Sequence, residues 1–180
     1  MIEKVINVGE IMLILNNVAY TSRIIFVLNK WDTQDQDRKT LRDRKQWINI
    51  MFGQMEYAPI VATSALEGKG IKELLNTAIE LHQQLNHKVD TAALNAALKD
   101  WLFKYPPPAS KTNKFKIRYM VQTKSNPVEF LIFATRPEVV PDTYVTFLKN
   151  RIREDLGFDK IPVQLEFKAS RQKWEDRQFD

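Results

Sequence analysis

Two short polar groups, each at the end of an apolar run, carry the residue types in this 180-residue chain that can do recognisable chemistry. The first is Asn29-Lys30-Trp31-Asp32, directly after Ile24-Ile25-Phe26-Val27-Leu28. The second is Ser64-Ala65-Leu66, after the run from Pro59 to Ala62. A carboxylate accepts through two oxygens and donates nothing, so Asp32 suits a ligand edge with two adjacent N–H donors. Guanine has that edge in N1–H and its N2 amine. Adenine has a bare N1 and no amine at C2. Asn29 can offer its amide to the base or fasten the loop. Lys30 can lay its aliphatic stem along the purine face while its ammonium stays in water. A backbone N–H in Ser64-Ala65-Leu66 can donate to guanine O6, where adenine carries a donor instead. The competing interpretation of Asn29 and Asp32 is ordinary turn formation and helix capping after a strand.

The elements around these groups must hold them at one edge. Five apolar residues, mostly β-branched or aromatic, read as a strand at 24–28 buried on both faces. Ligands of parallel sheets bind beyond the carboxyl ends of the strands. A loop then leads into an amphipathic helix carrying Leu41, Trp47, Ile48, Met51 and Phe52, with a solvated charge cluster from Asp35 to Lys45. Pro59 to Ala62 is the next strand. Gly70 to Gln84 is a helix, with Ile71, Leu74, Leu75, Ala78, Ile79 and Leu81 at helical period. The order strand, helix, strand, helix predicts two parallel strands. Upstream, Ile2, Val5, Ile6, Gly9 and Leu13 approximate a helical face, so residues 2–17 are read as a helix running into a turn near 16–23.

The two motifs resemble the fourth and fifth sequence motifs of P-loop GTPases. Asn-Lys-Trp-Asp and the sequence after residue 84 resemble the second GTPase domain and C-terminal domain of the EngA/Der family, bacterial double GTPases of ribosome assembly. That resemblance covers about residues 20–170. It implies an α/β fold for 1–84, the C-terminal portion of a P-loop GTPase domain with parallel strands. It implies an α+β KH-like domain of order α-β-β-α-β for 85–170, with 171–180 left as a polar tail. It also implies GTP or GDP as ligand, with Mg in the full-length parent, and the large ribosomal subunit or its rRNA as partner. Guanine-binding residues carried over are Asn29, Lys30, Asp32, Ser64, Ala65 and Leu66.

The phosphate-binding half of such a site is not found. A phosphate loop requires Gly-x-x-x-x-Gly-Lys-Ser/Thr. The five glycines are Gly9, Gly53, Gly68, Gly70 and Gly157, and no two are five apart. No Asp precedes a glycine by three, so the metal-binding Asp-x-x-Gly is missing as well. By the resemblance, the chain corresponds to the C-terminal part of a longer protein and would dock a missing N-terminal G-domain portion. On its own it is expected not to turn over GTP. Base contacts alone, at about 1.5–3 kcal/mol per charge-assisted hydrogen bond before ordering costs, imply a dissociation constant of roughly millimolar or weaker. The strand at 24–28 would also keep one unpaired edge, leaving the first domain loosely ordered, self-associating or covered by residues 1–17.

Charge separates the two halves. Residues 1–84 hold ten Lys/Arg and ten Asp/Glu; residues 85–180 hold seventeen and twelve, and so carry the whole net +5. The second half should therefore prefer polyanions. There, Asp90 or Thr91 can cap a helix bearing Ala93, Leu94, Ala97, Leu98, Trp101 and Leu102, which Pro106-Pro107-Pro108 ends. Lys114 to Gln122 alternates as a strand, with Phe115, Ile117, Tyr119 and Val121 on one face and Lys114, Lys116 and Arg118 on the other. Val128 to Thr135 is a second strand and Val163 to Phe167 a third. Asp142 can start a helix with Tyr144, Leu148, Ile152 and Leu156, closed by Gly157 with Phe158 behind it.

KH domains clamp RNA with Gly-x-x-Gly, and no glycine lies between Gly70 and Gly157. The face left for RNA or a partner is Lys114, Lys116 and Arg118, flanked by Lys111, Lys124 and Arg136. A solvated sheet face is the plain alternative. There is no cysteine, so thiolate metal sites and thiol nucleophiles are excluded; the composition fits a reducing cytoplasm. His82 and His87 lack neighbouring acidic clusters, so no metal site is expected. No apolar run reaches the roughly 20 residues of a membrane span. An alternative function is a non-enzymatic RNA- or ribosome-binding KH-like module with a vestigial G-domain remnant; another is a docking domain acting on a GTPase in trans.

Overall fold

The computed structural model describes residues 4–8, 11–16, 23–34, 38–108, 114–125 and 127–170, with side chains from Ile24 onward save Arg38 and Gln54. The turn expected near 16–23, Lys111 and the tail 171–180 lie outside the described residues. Two compact units result. One runs to Leu85 and takes in Asp159–Pro162; the other comprises Asn86–Phe158 and the chain from Val163.

The first unit is a mixed sheet with helices. Strands β1 (Lys4–Val8) and β2 (Ile11–Asn16) form an antiparallel hairpin, and β2 pairs antiparallel with β3 (Arg23–Leu28). β3 pairs parallel with β4 (Ile60–Ala62), through Phe26↔Ile60, Val27↔Val61 and Leu28↔Ala62. Helix α1 (Arg38–Met51) joins those two strands, and α2 (Ile71–Asn86) follows β4.

Within the stretch 2–17 read as a helix, the described residues 4–8 and 11–16 are therefore paired strands and not a helix. The apolar spacing that imitated a helical face belongs to two β-branched runs, Lys-Val-Ile-Asn-Val and Ile-Met-Leu-Ile-Leu, divided at Gly9. Extended runs with Gly at the join are a hairpin signal. The hairpin also settles the fate of the exposed edge: β2 covers β3 from Ile11↔Leu28 to Asn16↔Arg23. The two strands expected to be parallel, β3 and β4, are parallel, and the hairpin adds two antiparallel strands to them, so the sheet is mixed.

β3 is buried on both faces as expected, with Ile24 to Leu28 all at most 6% exposed. Ile24, Phe26 and Leu28 form one core with Ile48 of α1 and Ala58, and Leu41 and Phe52 pack against it. Trp47 and Met51 do not join that core; they stay 45% and 59% exposed. On α2, Thr77, Leu81 and Leu85 are buried, whereas Ile71, Leu75 and Ile79 are exposed.

The second unit has the order α-β-β-α-β. It comprises α3 (Thr91–Lys104), β5 (Ile117–Ser125), β6 (Val128–Ala134), α4 (Asp142–Asp155) and β7 (Val163–Ala169). β6 is central, antiparallel to β5 and parallel to β7. Asp90 caps α3, its carboxylate accepting from Ala92 N–H at 2.9 Å and Ala93 N–H at 3.2 Å. Leu94, Leu98 and Trp101 of α3 and Tyr144, Leu148 and Ile152 of α4 are buried at helical spacing. Trp101 Nε1–H donates to Asp155 Oδ2 at 2.7 Å, tying the two helices. α4 closes on Gly157 at φ 76°, with Phe158 N–H donating to Arg153 O at 3.2 Å and the Phe158 ring fully buried. That is the left-handed cap its sequence predicts. Tyr144 donates its hydroxyl to Tyr105 O at 2.9 Å, and burial pushes its phenol up to about 12.

β5 departs from simple alternation. A register shift between Ile117 and Tyr119 leaves Arg118 and Tyr119 both exposed and turns Met120 inward, fully buried. Tyr119 thus lies on the outer face, opposite the expectation. A bulge inserts one residue, and one residue reverses the side-chain phase of everything after it.

Candidate functional site

The site residues are set by how the loops after β3 and β4 are fastened. Phe26 N–H donates to Pro59 O at 2.9 Å and Thr63 N–H to Leu28 O at 2.8 Å, so the parallel pairing runs to the strand ends. Past the ends, Trp31 N–H donates to Thr63 O at 3.0 Å, joining the two loops directly. Lys30 sits in the left-handed region (φ 59°, ψ 37°), the one non-glycine with positive φ among the described residues. That conformation costs about 1–2 kcal/mol. It is held by Thr33, whose N–H (3.1 Å) and Oγ1–H (2.8 Å) both donate to Lys30 O. The result is a tight 3-10 turn over Trp31–Thr33 that turns Asp32 toward the neighbouring loop.

Asp32 meets Ser64 there. Ser64 Oγ–H donates to Asp32 Oδ1 at 2.5 Å, and Ser64 Oγ accepts Glu67 N–H at 3.1 Å. One carboxylate oxygen is fixed in this way and the other keeps its lone pairs. Ser64 is 2% exposed and Asp32 is half-buried, so the serine side of this contact is shielded while the carboxylate still reaches the surface. Ser64 N–H is occupied by Lys69 O at 3.0 Å. The next N–H, that of Ala65, has no protein acceptor among the described residues, and Ala65 is exposed. Thr63 Oγ1 lies 3.4 Å from Asn29 Oδ1, a long hydrogen bond that uses the amide oxygen and leaves the amide N–H groups. Leu66 is 88% exposed. The cleft bounded by Trp31, Asp32, Thr63, Ser64 and Lys69 holds about 30 Å³, room for about one water. A larger planar ligand would lie across its mouth.

All six residues singled out for guanine thus fall on the two loops at one end of the β3–β4 pair. Sequence reasoning missed the Ser64 hydroxyl as the group that aims Asp32, and it missed Gly70. Gly70 has φ 74°, and a Cβ there would lie 2.1 Å from Ala62 O. The visible signal was the pair Gly68 and Gly70 flanking Lys69 just after the second motif.

Of the six basic residues Lys111 lies outside the described residues, and the other five do not form one face. Lys114, Lys116 and Arg118 are exposed on alternate positions while Phe115 and Ile117 are buried between them. Arg136 joins this end through Nε–H to Lys114 O at 3.0 Å. Lys124 sits at the far end of the β5–β6 hairpin, eight residues from Lys116, or about 26 Å of extended chain. There it pairs with Glu129 at 2.8 Å, and that pairing raises the Lys124 pKa and lowers that of Glu129. No group of three or more potential metal ligands occurs among the described residues, and none of their helices is long and apolar enough to cross a membrane.

Residues 88–168 match the family model described as the KH-domain-like C-terminal domain of EngA bacterial GTPase enzymes. GTPase Der of Treponema pallidum is 47% identical over 142 residues, covering 79% of this chain and 31% of that protein. The chain belongs to the EngA/Der family. GTPase Der of Dinoroseobacter shibae is 33% identical over 146 residues (81% of this chain, 30% of that one). GTPase Der of Caldanaerobacter subterraneus is 34% identical over 145 residues (81% and 33%). The chain spans about a third of the length of these EngA/Der relatives. Among solved structures, Aquifex aeolicus Era overlays at TM-score 0.29 with 18% identity, covering 81% of this chain and 54% of that one, a likeness too slight to argue from.

Proposed function

We propose that the first unit reads the guanine base of GTP or GDP. Asp32 accepts N1–H and the N2 amine, Ala65 N–H donates to O6, Lys30 lies along the ring, and Asn29 fastens the loop while offering its amide. The observation that carries this reading is the 2.5 Å contact from Ser64 to Asp32, with Trp31 N–H bound to Thr63 O. Two motifs thirty-two residues apart converge on one carboxylate with an acceptor oxygen to spare. Ordinary turn capping needs no such link, since an N-cap carboxylate bonds its own helix. Phosphate and Mg handling would belong to the rest of a longer protein, and the activity of the whole, GTP hydrolysis during assembly of the large ribosomal subunit in the cytoplasm, is proposed from family membership. The second unit, with all of the net positive charge, is the part we assign to ribosomal RNA.

The test is Asp32→Asn. Xanthine carries an oxygen at C2 where guanine has an amine, so an Asn amide can donate to it while its own oxygen still accepts N1–H. Guanosine monophosphate binding should fall about tenfold or more, the worth of one charge-assisted hydrogen bond. Xanthosine monophosphate binding should rise in step, both followed by NMR titration of the chain. Loss of the first without gain of the second would remove Asp32 as the base reader.

A further inference from the structure

The second unit carries an open groove of about 430 Å³, unrelated to the guanine site. It is lined by Leu102, Pro107 and Pro108 together with the segment from Lys114 to Arg118. Its walls are mainly apolar, and three cations are among the residues that line it. Lys114, Lys116 and Arg118 are exposed at every second residue, because Phe115 and Ile117 between them are buried at 7% and 8%. Alternate residues of an extended chain stand about 6.6 Å apart on one side. That is close to the spacing of successive phosphates along an extended nucleic-acid strand.

The bulge after Ile117 adds a second feature. Since Arg118 and Tyr119 are both exposed, the row of cations ends beside an aromatic ring. Tyr119 is 43% exposed and stacks on Phe133 at 4.3 Å with the rings 16° apart. Phe133 supports the ring from one side. An acidic peptide would be served by the cations alone. An apolar groove, a row of cations and a supported aromatic ring together are what single-stranded nucleic acid uses, through backbone charge and base stacking. Duplex RNA shows its backbone but keeps its bases stacked within.

We infer that this groove binds single-stranded RNA, with Lys114, Lys116 and Arg118 on successive phosphates and Tyr119 stacking a base. This rests on the assignment of the second unit to RNA and adds the site and the kind of strand. It replaces the Gly-x-x-Gly clamp with a side-chain ladder, and binding should be tolerant of sequence.

The experiment measures binding of a fluorescein-labelled 12-nucleotide oligouridylate to the full chain by anisotropy, over a salt series. Wild-type protein should bind the single strand more tightly than an RNA duplex or poly-glutamate of equal charge. Removing three phosphate contacts with Lys114→Ala, Lys116→Ala and Arg118→Ala together should reduce the slope of log K against log salt by about two. Tyr119→Leu should weaken binding about tenfold with the slope kept, and Tyr119→Phe should leave both unchanged. Lys124→Ala, at the far end of the hairpin, should do little. Thermal melts check that each variant folds. Single-strand binding that ignores the ladder and Tyr119 variants would overturn the groove while keeping an RNA-binding second unit. Poly-glutamate binding as tight as RNA would make it an acidic-peptide site. No RNA binding at all would overturn both readings.

Discussion

Gly70→Ala is expected to destabilise the first unit by about 3 kcal/mol or more and to disorder the guanine site with it. Two independent costs combine. A residue with a Cβ at φ 74° loses about 1–2 kcal/mol to left-handed strain. The added Cβ would also lie 2.1 Å from Ala62 O and 3.1 Å from Thr63 Cα, both backbone atoms with no rotamer to escape into. Gly70 O accepts Leu74 N–H in the first turn of α2, so α2 and the end of β4 must part for the methyl to fit. Parting them moves Ala62, Thr63 and Ser64, hence the partner of Asp32. Gly68 supplies the comparison. It has φ 69°, but a Cβ added there would meet no atom within 4 Å, so Gly68→Ala should show the strain alone. Amide exchange at Phe26 and Val27 reads both. Equal protection in the two variants would show that the close approach at Gly70 is not what fixes the loop.

Asn95→Ala is expected to cost the second unit about 2–4 kcal/mol. Asn95 lies within α3 and meets β5 as a neighbouring strand would. Its Oδ1 accepts Met120 N–H at 2.9 Å and its Nδ2–H donates to Met120 O at 2.9 Å. The amide orientation follows from the chemistry, because only an oxygen can meet Met120 N–H. β5 is an edge strand and Met120 is fully buried, so truncation leaves a buried donor and a buried acceptor without partners. Each costs about 1–3 kcal/mol, against a gain of only about half a kcal/mol in helix propensity. Urea unfolding with exchange at Met120 measures it. A loss below about 1 kcal/mol would mean that water reaches Met120.

What could be read from the sequence tracks how local its cause is. The all-apolar run 24–28, the Asp90 cap and the Gly157–Phe158 closure depend on near neighbours, and each was legible. Asn95 was not, because an Asn within a helix shows its purpose only when a strand twenty-five residues on arrives beside it. The bulge at Arg118 was hidden as well. Alternation from Lys114 onward looked regular, and a bulge leaves no residue-type mark when both neighbours tolerate exposure. Residues 2–17 misled because apolar residues three and four apart also occur within two β-runs, and the partner that favours the hairpin, β3, lies further along the chain. For the guanine site, Asp32 and Ser64 were visible as types. The link between them is tertiary, made by parallel pairing of β3 with β4.

The most direct test of base reading needs no variant. Two-dimensional amide NMR spectra of the chain, titrated with guanosine and adenosine monophosphates, should show saturable shifts at Ala65 and Asp32 with guanosine at a dissociation constant of about a millimolar or weaker. Adenosine should leave both unmoved. Equal shifts with the two nucleotides, or shifts confined to residues away from these loops, would contradict guanine recognition by Asp32 and Ala65.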